Sequence, residues 1–230
     1  MVTLDGFIIS HGMETMEIHD IEKIKGFIGE YKPSFSLLDI TKPVTVGGFD
    51  LQDYFFEHKR SQVETINNSI PIIKGVIDEF NKQFKRSYGV VEEYMLADAD
   101  IGIIVMGSTA GTAKVAIDEL RGKGIKAGLL KIKVFRPFPL VDIISAIKNL
   151  KAIAVLDRSE GLAGIGGPIF VEVKSSLYEV PSKPLIVDYV YGLGGRSIDE
   201  NDIKKVYSEL EDIKKKNKVE KPINYLGVRE

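Results

Sequence analysis

IGIIVMGSTAGTAKVAIDELRGKGIKAGLLKIKVF, residues 101–135, decides the fold. Ile101–Met106 is a continuous apolar run ending at Gly107, the signature of a strand buried on both faces. Thr109–Arg121 then has helical spacing and is closed by Gly122 and Gly124. Ala127–Phe135 is a second apolar run. Strand, helix and strand in under forty residues point to a parallel sheet.

The pattern continues downstream. Leu140–Leu150 reads as a helix behind Pro137 and Pro139, and Ala152–Leu156 as a third strand. Pro168–Tyr178 is a helix with proline in its first turn. Leu185–Tyr189 is a fourth strand, and Ser197-x-x-Glu200 reads as a capping box opening a helix to about Leu210. The expected architecture is α/β, a parallel sheet covered by helices on both faces, of about 110 residues. The tail from Lys214 is expected to be mobile, with Pro222–Leu226 able to dock on a partner.

Upstream the signals weaken. Val2–Leu4 and Phe7–Ile9 flank Asp5-Gly6 and read as a strand lacking partners. Pro33, Pro43, Gly47 and Gly48 punctuate a linker with one weak helix at Ile21–Ile28. Leu51 to about Arg86 is a long helix with an apolar stripe through Val63, Ile66, Ile70, Ile73, Ile77, Phe80 and Phe84. Pro71 should kink or split it, because it removes a backbone donor.

Composition narrows the function classes. The 230 residues make roughly 1.5 domains at about 150 residues each. The balance of 31 Lys and Arg against 33 Asp and Glu gives a net charge of −2, with no general basic field for nucleic acid. Cysteine is absent, so this chain offers no disulfide, thiolate zinc site, catalytic thiol or cysteine-ligated iron–sulfur cluster. The apolar start lacks a basic leader, and no apolar run approaches the roughly 20 residues that span a bilayer. A cytoplasmic protein is expected, without membrane or nucleic-acid partners.

Loops after parallel strands are where such folds bind ligands, and several here carry suitable residues. Gly107, Ser108, Thr109, Gly111 and Thr112 form a strand-to-helix turn able to hold an anion. Capping of the helix by Ser108 or Thr109 is the simpler reading, worth about 1 kcal/mol. Arg136, between Phe135 and Pro137, suits a carboxylate or another subunit. Asp157 and Arg158 precede a glycine-rich loop ending in Gly166, Gly167 and Pro168, and Arg196 follows Gly192-Leu193-Gly194-Gly195. The three histidines share no metal-site spacing. Ser10 and His11 face apart on a strand and cannot be a nucleophile–base pair there. No catalytic, cofactor-binding or metal residue is assigned.

These loops, taken in order, resemble the alpha subunit of pyruvate (or 2-oxoisovalerate):ferredoxin oxidoreductases. The matching pieces are Leu4-Asp5-Gly6-Phe7 with Ser10-His11, Pro43-Val44-Thr45, and Tyr88-Gly89 with Glu92-Glu93-Tyr94. They continue as Met106 through Thr112, Phe135-Arg136-Pro137-Phe138-Pro139, Val155 through Arg158, Gly166-Gly167-Pro168 and Gly192 through Arg196. The resemblance implies a division into 1–50, a remnant strand and linker of an upstream thiamine-binding domain; 51–97, a connecting helix; 98–212, a three-layer transketolase C-terminal-like domain; and 213–230, a tail. It implies a component of an enzyme that oxidatively decarboxylates a 2-oxoacid to acyl-CoA and passes electrons to ferredoxin. Thiamine diphosphate, Mg²⁺ and iron–sulfur clusters are expected on partner domains or subunits, with none bound by this chain alone. An oligomer is expected. The alternative is a stand-alone, non-catalytic binding or regulatory module derived from that subunit.

Overall fold

The computed structural model describes residues 1–6, 8–162 and 164–229. Two compact units divide the chain: residues 1–12 with 88–230, and residues 13–87.

The larger unit is built on a six-stranded sheet of order β1-β3-β2-β4-β5-β6. Its strands are β1 (Val91–Tyr94), β2 (Ile101–Met106), β3 (Ala127–Ile132), β4 (Ala152–Asp157), β5 (Leu185–Tyr191) and β6 (Ile223–Leu226). All neighbours run parallel except β1, which pairs antiparallel with β3. Alternation along β2 shows why the apolar runs are continuous. Ile101, Ile103 and Val105 enter one core with Ala113 and Ile117 of α5 (Thr109–Gly122) and Val206 and Leu210 of α8 (Glu200–Lys216). Ile104 enters the other with Ile143 and Ile147 of α6 (Leu140–Ile147) and Phe170 and Val173 of α7 (Pro168–Ser176). The inner strands serve two dry layers, so neither of their faces tolerates a regular polar alternation.

Several expectations about this unit are corrected. Glu92 and Glu93 lie in the edge strand β1, where Glu93 is exposed while Lys114 and Lys133 pair with Glu92 and hold its carboxyl below the usual range. The tail is ordered, since α8 continues to Lys216 and Pro222–Leu226 docks on its own sheet beside β5. The capping box is shifted by two residues. Asp199, not Ser197, accepts the Asn201 and Asp202 N–H groups at 2.8 and 3.0 Å, and Asp202 returns the bond to the Asp199 N–H at 3.1 Å.

The opening segment also differs from its reading as a strand. No strand pairs with it among the described residues, and Met1, Val2 and Leu4 stand exposed. Asp5 instead accepts the Ile8 N–H at 3.3 Å and starts a single helical turn, α1 (Ile8–His11).

The smaller unit holds α2 (Ile21–Ile28), α3 (Phe55–Asn67) and α4 (Ile70–Phe84). Asp20 caps α2 through the Glu22 and Lys23 N–H groups. The long helix splits between Asn67 and Ile70, and Pro71 falls in the first turn of α4, where its missing N–H has no intrahelical partner to lose. His19, Phe27, Phe80 and Phe84 form its aromatic cluster. Among the described residues of α2, α3 and α4 none is fully buried, and Phe55, Phe56, Val63 and Ile66 are exposed. No helix among the described residues is long and apolar enough to cross a membrane.

Candidate functional site

The parallel strands place their carboxyl ends along one rim, and a cleft of about 660 Å³ opens there. Gly107 and Ser108 reach it from β2, Asp157 and Arg158 from β4, Tyr191 from β5, and Asp5 from the opening segment. Arg158 Nη1 meets Asp5 Oδ2 at 2.5 Å, and Ser108 Oγ donates to the same oxygen at 3.1 Å. The Asp5 side chain is 12% exposed and Arg158 26%, so this pair is sheltered enough to persist. Gly192 leaves the path that Arg158 needs: its φ is +66°, and a Cβ there would lie 2.9 Å from Arg158 Nε. Beneath the pair, the Tyr191 hydroxyl bonds the buried Thr109 hydroxyl at 2.9 Å.

Beside the cleft lies a second constellation, centred on the entry to α7. Asp157 ends β4, and its two carboxylate oxygens accept the Ile169 and Phe170 N–H groups at 3.0 and 2.9 Å. These are orphan donors of the first helical turn, so a strand-end carboxylate caps a helix twelve residues further along the chain. Gly167 permits the approach, because a Cβ there would sit 2.3 Å from Asp157 Cγ. Asp188, in the middle of β5, accepts the Gly167 N–H through Oδ2 at 2.7 Å. Both acids are buried. Burial pushes Asp157 above its ordinary range, opposed by its two N–H donors. Burial pushes Asp188 up to about 6, opposed by the Gly167 N–H and reinforced by Asp157 and Glu160.

The remaining candidates disperse. Ser108 makes no capping hydrogen bond, having turned to Asp5. Gly111 and Thr112 lie in the first turn of α5, away from the residues lining the cleft. Arg136 packs its guanidinium on the Phe135 ring at 4.1 Å, donates to the Phe135 carbonyl and pairs with Glu172 of α7. Its peptide bond to Pro137 is cis. Arg196 donates to the Gly227 carbonyl at 2.6 Å and clasps the end of β6. Because Ser10 and His11 sit on a helical turn, their side chains do meet, at 2.7 Å, contrary to the strand-based expectation. Both are exposed and the Ser10 hydroxyl also reaches the Gly6 carbonyl. His58 pairs with Asp50 at 2.8 Å. Among the described residues no group of three His, Asp or Glu side chains is arranged to hold a metal.

Asp188 is not apparent from the sequence pattern, because Leu185–Tyr189 reads as a plain core strand. The signal was present: a single carboxylate inside Leu185-Ile186-Val187-Asp188-Tyr189-Val190-Tyr191 is costly unless something binds it.

Comparison with known proteins gives this geometry a lineage. A model of the pyruvate:ferredoxin oxidoreductase core domain II matches residues 99–203, which hold β2 to β5 and the α7 entry. A model of the thiamine diphosphate-binding domain of pyruvate flavodoxin/ferredoxin oxidoreductases matches residues 1–77. The pyruvate synthase subunit PorA of Thermotoga maritima is 44% identical over all of this chain, which covers 58% of that protein. The chain belongs, as an alpha-subunit portion, to the 2-oxoacid:ferredoxin oxidoreductases. Two further relatives in this family are PorA of Pyrococcus furiosus, 38% identical, and the ketoisovalerate oxidoreductase subunit VorA of Pyrococcus horikoshii, 33% identical, each aligned along the whole of this chain. The chain spans 58% of the length of these curated relatives. In family terms, the Asp5–Arg158 ion pair joins a residue of the thiamine-domain match to a residue of the core domain II match.

Proposed function

We propose that this chain is the structural and interface portion of the alpha subunit in a 2-oxoacid:ferredoxin oxidoreductase. The assembled enzyme would decarboxylate pyruvate or a related 2-oxoacid, form acyl-CoA and deliver electrons to ferredoxin. The other subunits and the remaining thiamine-binding region are its partners. The supporting observation is the Asp5–Arg158–Ser108 junction, which ties a thiamine-domain segment to the rim of the core domain II sheet.

Thiamine diphosphate would supply the stabilised carbanion that 2-oxoacid decarboxylation requires. The described residues do not assemble its metal site, and the chain has no cysteine to ligate an iron–sulfur cluster. Residues 1–77 match a thiamine diphosphate-binding family, and in this proposal the metal and the clusters sit on partner domains or subunits. What the chain's own residues do is fix geometry. Arg158 and Ser108 hold Asp5, Asp157 and Asp188 seat α7 on the sheet, and Arg136 holds the strand exit against Glu172.

Co-expression with polypeptides supplying the thiamine, pyrophosphate-binding and iron–sulfur parts tests this reading. Native mass spectrometry should show one complex containing the chain, and that complex should reduce ferredoxin with pyruvate and coenzyme A. The chain alone should do neither. Micromolar binding of thiamine diphosphate by the isolated chain in calorimetry, or a partner complex fully active without it, would refute the assignment.

A further inference from the structure

The most anomalous group in the described residues is Asp188. Its side chain has no solvent exposure, Oδ2 accepts the Gly167 N–H, and among the described residues no partner hydrogen-bonds Oδ1. A buried carboxylate with one oxygen unpaired carries a large desolvation cost. Glu160 Oε2 is likewise buried without a hydrogen-bond partner among the described residues, and the charge of Glu160 acts on Asp188.

The groups facing Asp188 are mostly acidic. From the end of β4 comes Asp157, and from the loop beyond it Glu160. From β6 comes Tyr225, whose hydroxyl hydrogen-bonds Glu160. From the entry to α7 comes the Gly167 N–H, with the positive end of the helix dipole behind it. The Gly167 and Tyr189 N–H groups and the dipole favour a carboxylate, while burial and two neighbouring acids favour the neutral form, and the second group prevails. Space around the acid is tight. Gly166 has φ +120°, and a Cβ there would lie 2.9 Å from Asp188 Oδ2 and 2.4 Å from Phe170 Cδ1.

We propose that Asp188 is a proton-operated latch on the entry to α7, protonated on Oδ1 when Gly166–Pro168 is seated. The neutral acid keeps Oδ2 as acceptor for Gly167 and removes the like charge beside Asp157. Loss of the proton leaves two adjacent buried carboxylates, and hydrating them requires the Gly167–Phe170 backbone to lift from the sheet edge. The inference concerns the chain itself and stands apart from the enzyme assignment.

Carbon-13 NMR of the Asp188 carboxyl, with amide exchange corrected for intrinsic base catalysis, tests the latch on the full chain. The carboxyl should titrate near 6, against 3.8 for an ordinary aspartate. Linkage between those two values predicts that protection of the Gly167, Ile169 and Phe170 amides falls roughly 25-fold from about pH 4.5 to about pH 8. Amides of Ile103 and Ile104 in β2 should not share that change. Asp188→Asn should lose most of it, and Glu160→Gln should lower the Asp188 midpoint by removing a like charge. A midpoint below about 4.5 would overturn the proposal. So would titration with constant protection, a loss spread equally over β2, or an Asp188→Asn chain that keeps the full dependence. If Asp188→Asn does not fold, the wild-type titration and Glu160→Gln decide the matter.

Discussion

Replacing Asp157 by Asn probes the capping of α7 with an almost isosteric change. Both oxygens of Asp157 are occupied, one by the Ile169 N–H and the other by the Phe170 N–H. An amide offers only one oxygen, so its NH₂ must face the second backbone donor or turn away and leave that donor buried. Losing a hydrogen bond to a charged group costs about 1.5–3 kcal/mol, and an orphaned donor adds to this. Relief works the other way, because Asn removes a charge that burial already disfavours. The lost bond and donor conflict outweigh the relief by about 2 kcal/mol, which lowers the melting temperature by roughly 4–8 °C at this size. Differential scanning calorimetry measures it, and amide exchange should locate the loosening at Ile169 and Phe170. A melting temperature within about 1 °C of wild type, with those amides still protected, would show that Asp157 does not seat the helix.

Other perturbations follow from the same geometry. Gly192→Ala places a methyl against Arg158 and a side chain at positive φ, so it should cost about 1–2 kcal/mol and speed amide exchange around Asp5–His11. Tyr207→Phe removes the donor to the buried Gly128 carbonyl at 2.7 Å, and chemical denaturation should show a loss of about 1–2 kcal/mol. Arg136→Ala breaks a half-exposed pair with Glu172, so folding should change by under about 1 kcal/mol while complex assembly, followed by native mass spectrometry, weakens more. Asp188 sets the pH dependence of stability. Its folded value of about 6 exceeds its ordinary 3.8, so folding takes up a proton. Its stabilising contribution is complete below about pH 4 and is lost as pH rises through about 6, by about 3 kcal/mol in all. Denaturation midpoints that rise across that interval would contradict the assignment.

The central strands were legible because their environment leaves little choice of residue. Ile101–Met106 and Ala152–Leu156 are apolar on both faces, and the structure buries both faces. The edge strands were not, since each has one side open to water. Val91-Glu92-Glu93-Tyr94 reads as solvated charge until Lys114 and Lys133 are seen beside Glu92. Ile223–Leu226 carries too few residues to declare a ladder. The misplaced capping box arose from two overlapping signals, Ser197-x-x-Glu200 and Asp199-x-x-Asp202, and only backbone geometry chooses between them. Of the rim, the loops were visible as motifs but their partners were not. Nothing in local spacing brings Asp5 to Arg158 across the fold. The opening apolar run reads as a strand because hydrophobicity alone does not separate a strand from an unpaired segment that leads into a helical turn.

The sheet's far border has a practical consequence. Ile223–Leu226 covers β5, with the Asp188 N–H donating to Pro222 and Arg196 fastened to Gly227. Trimming these residues would bare the hydrogen-bonding groups of Tyr189–Tyr191 as an open template for other chains. A shortened version would therefore tend to self-associate through its β5 border, whatever the quality of its interior.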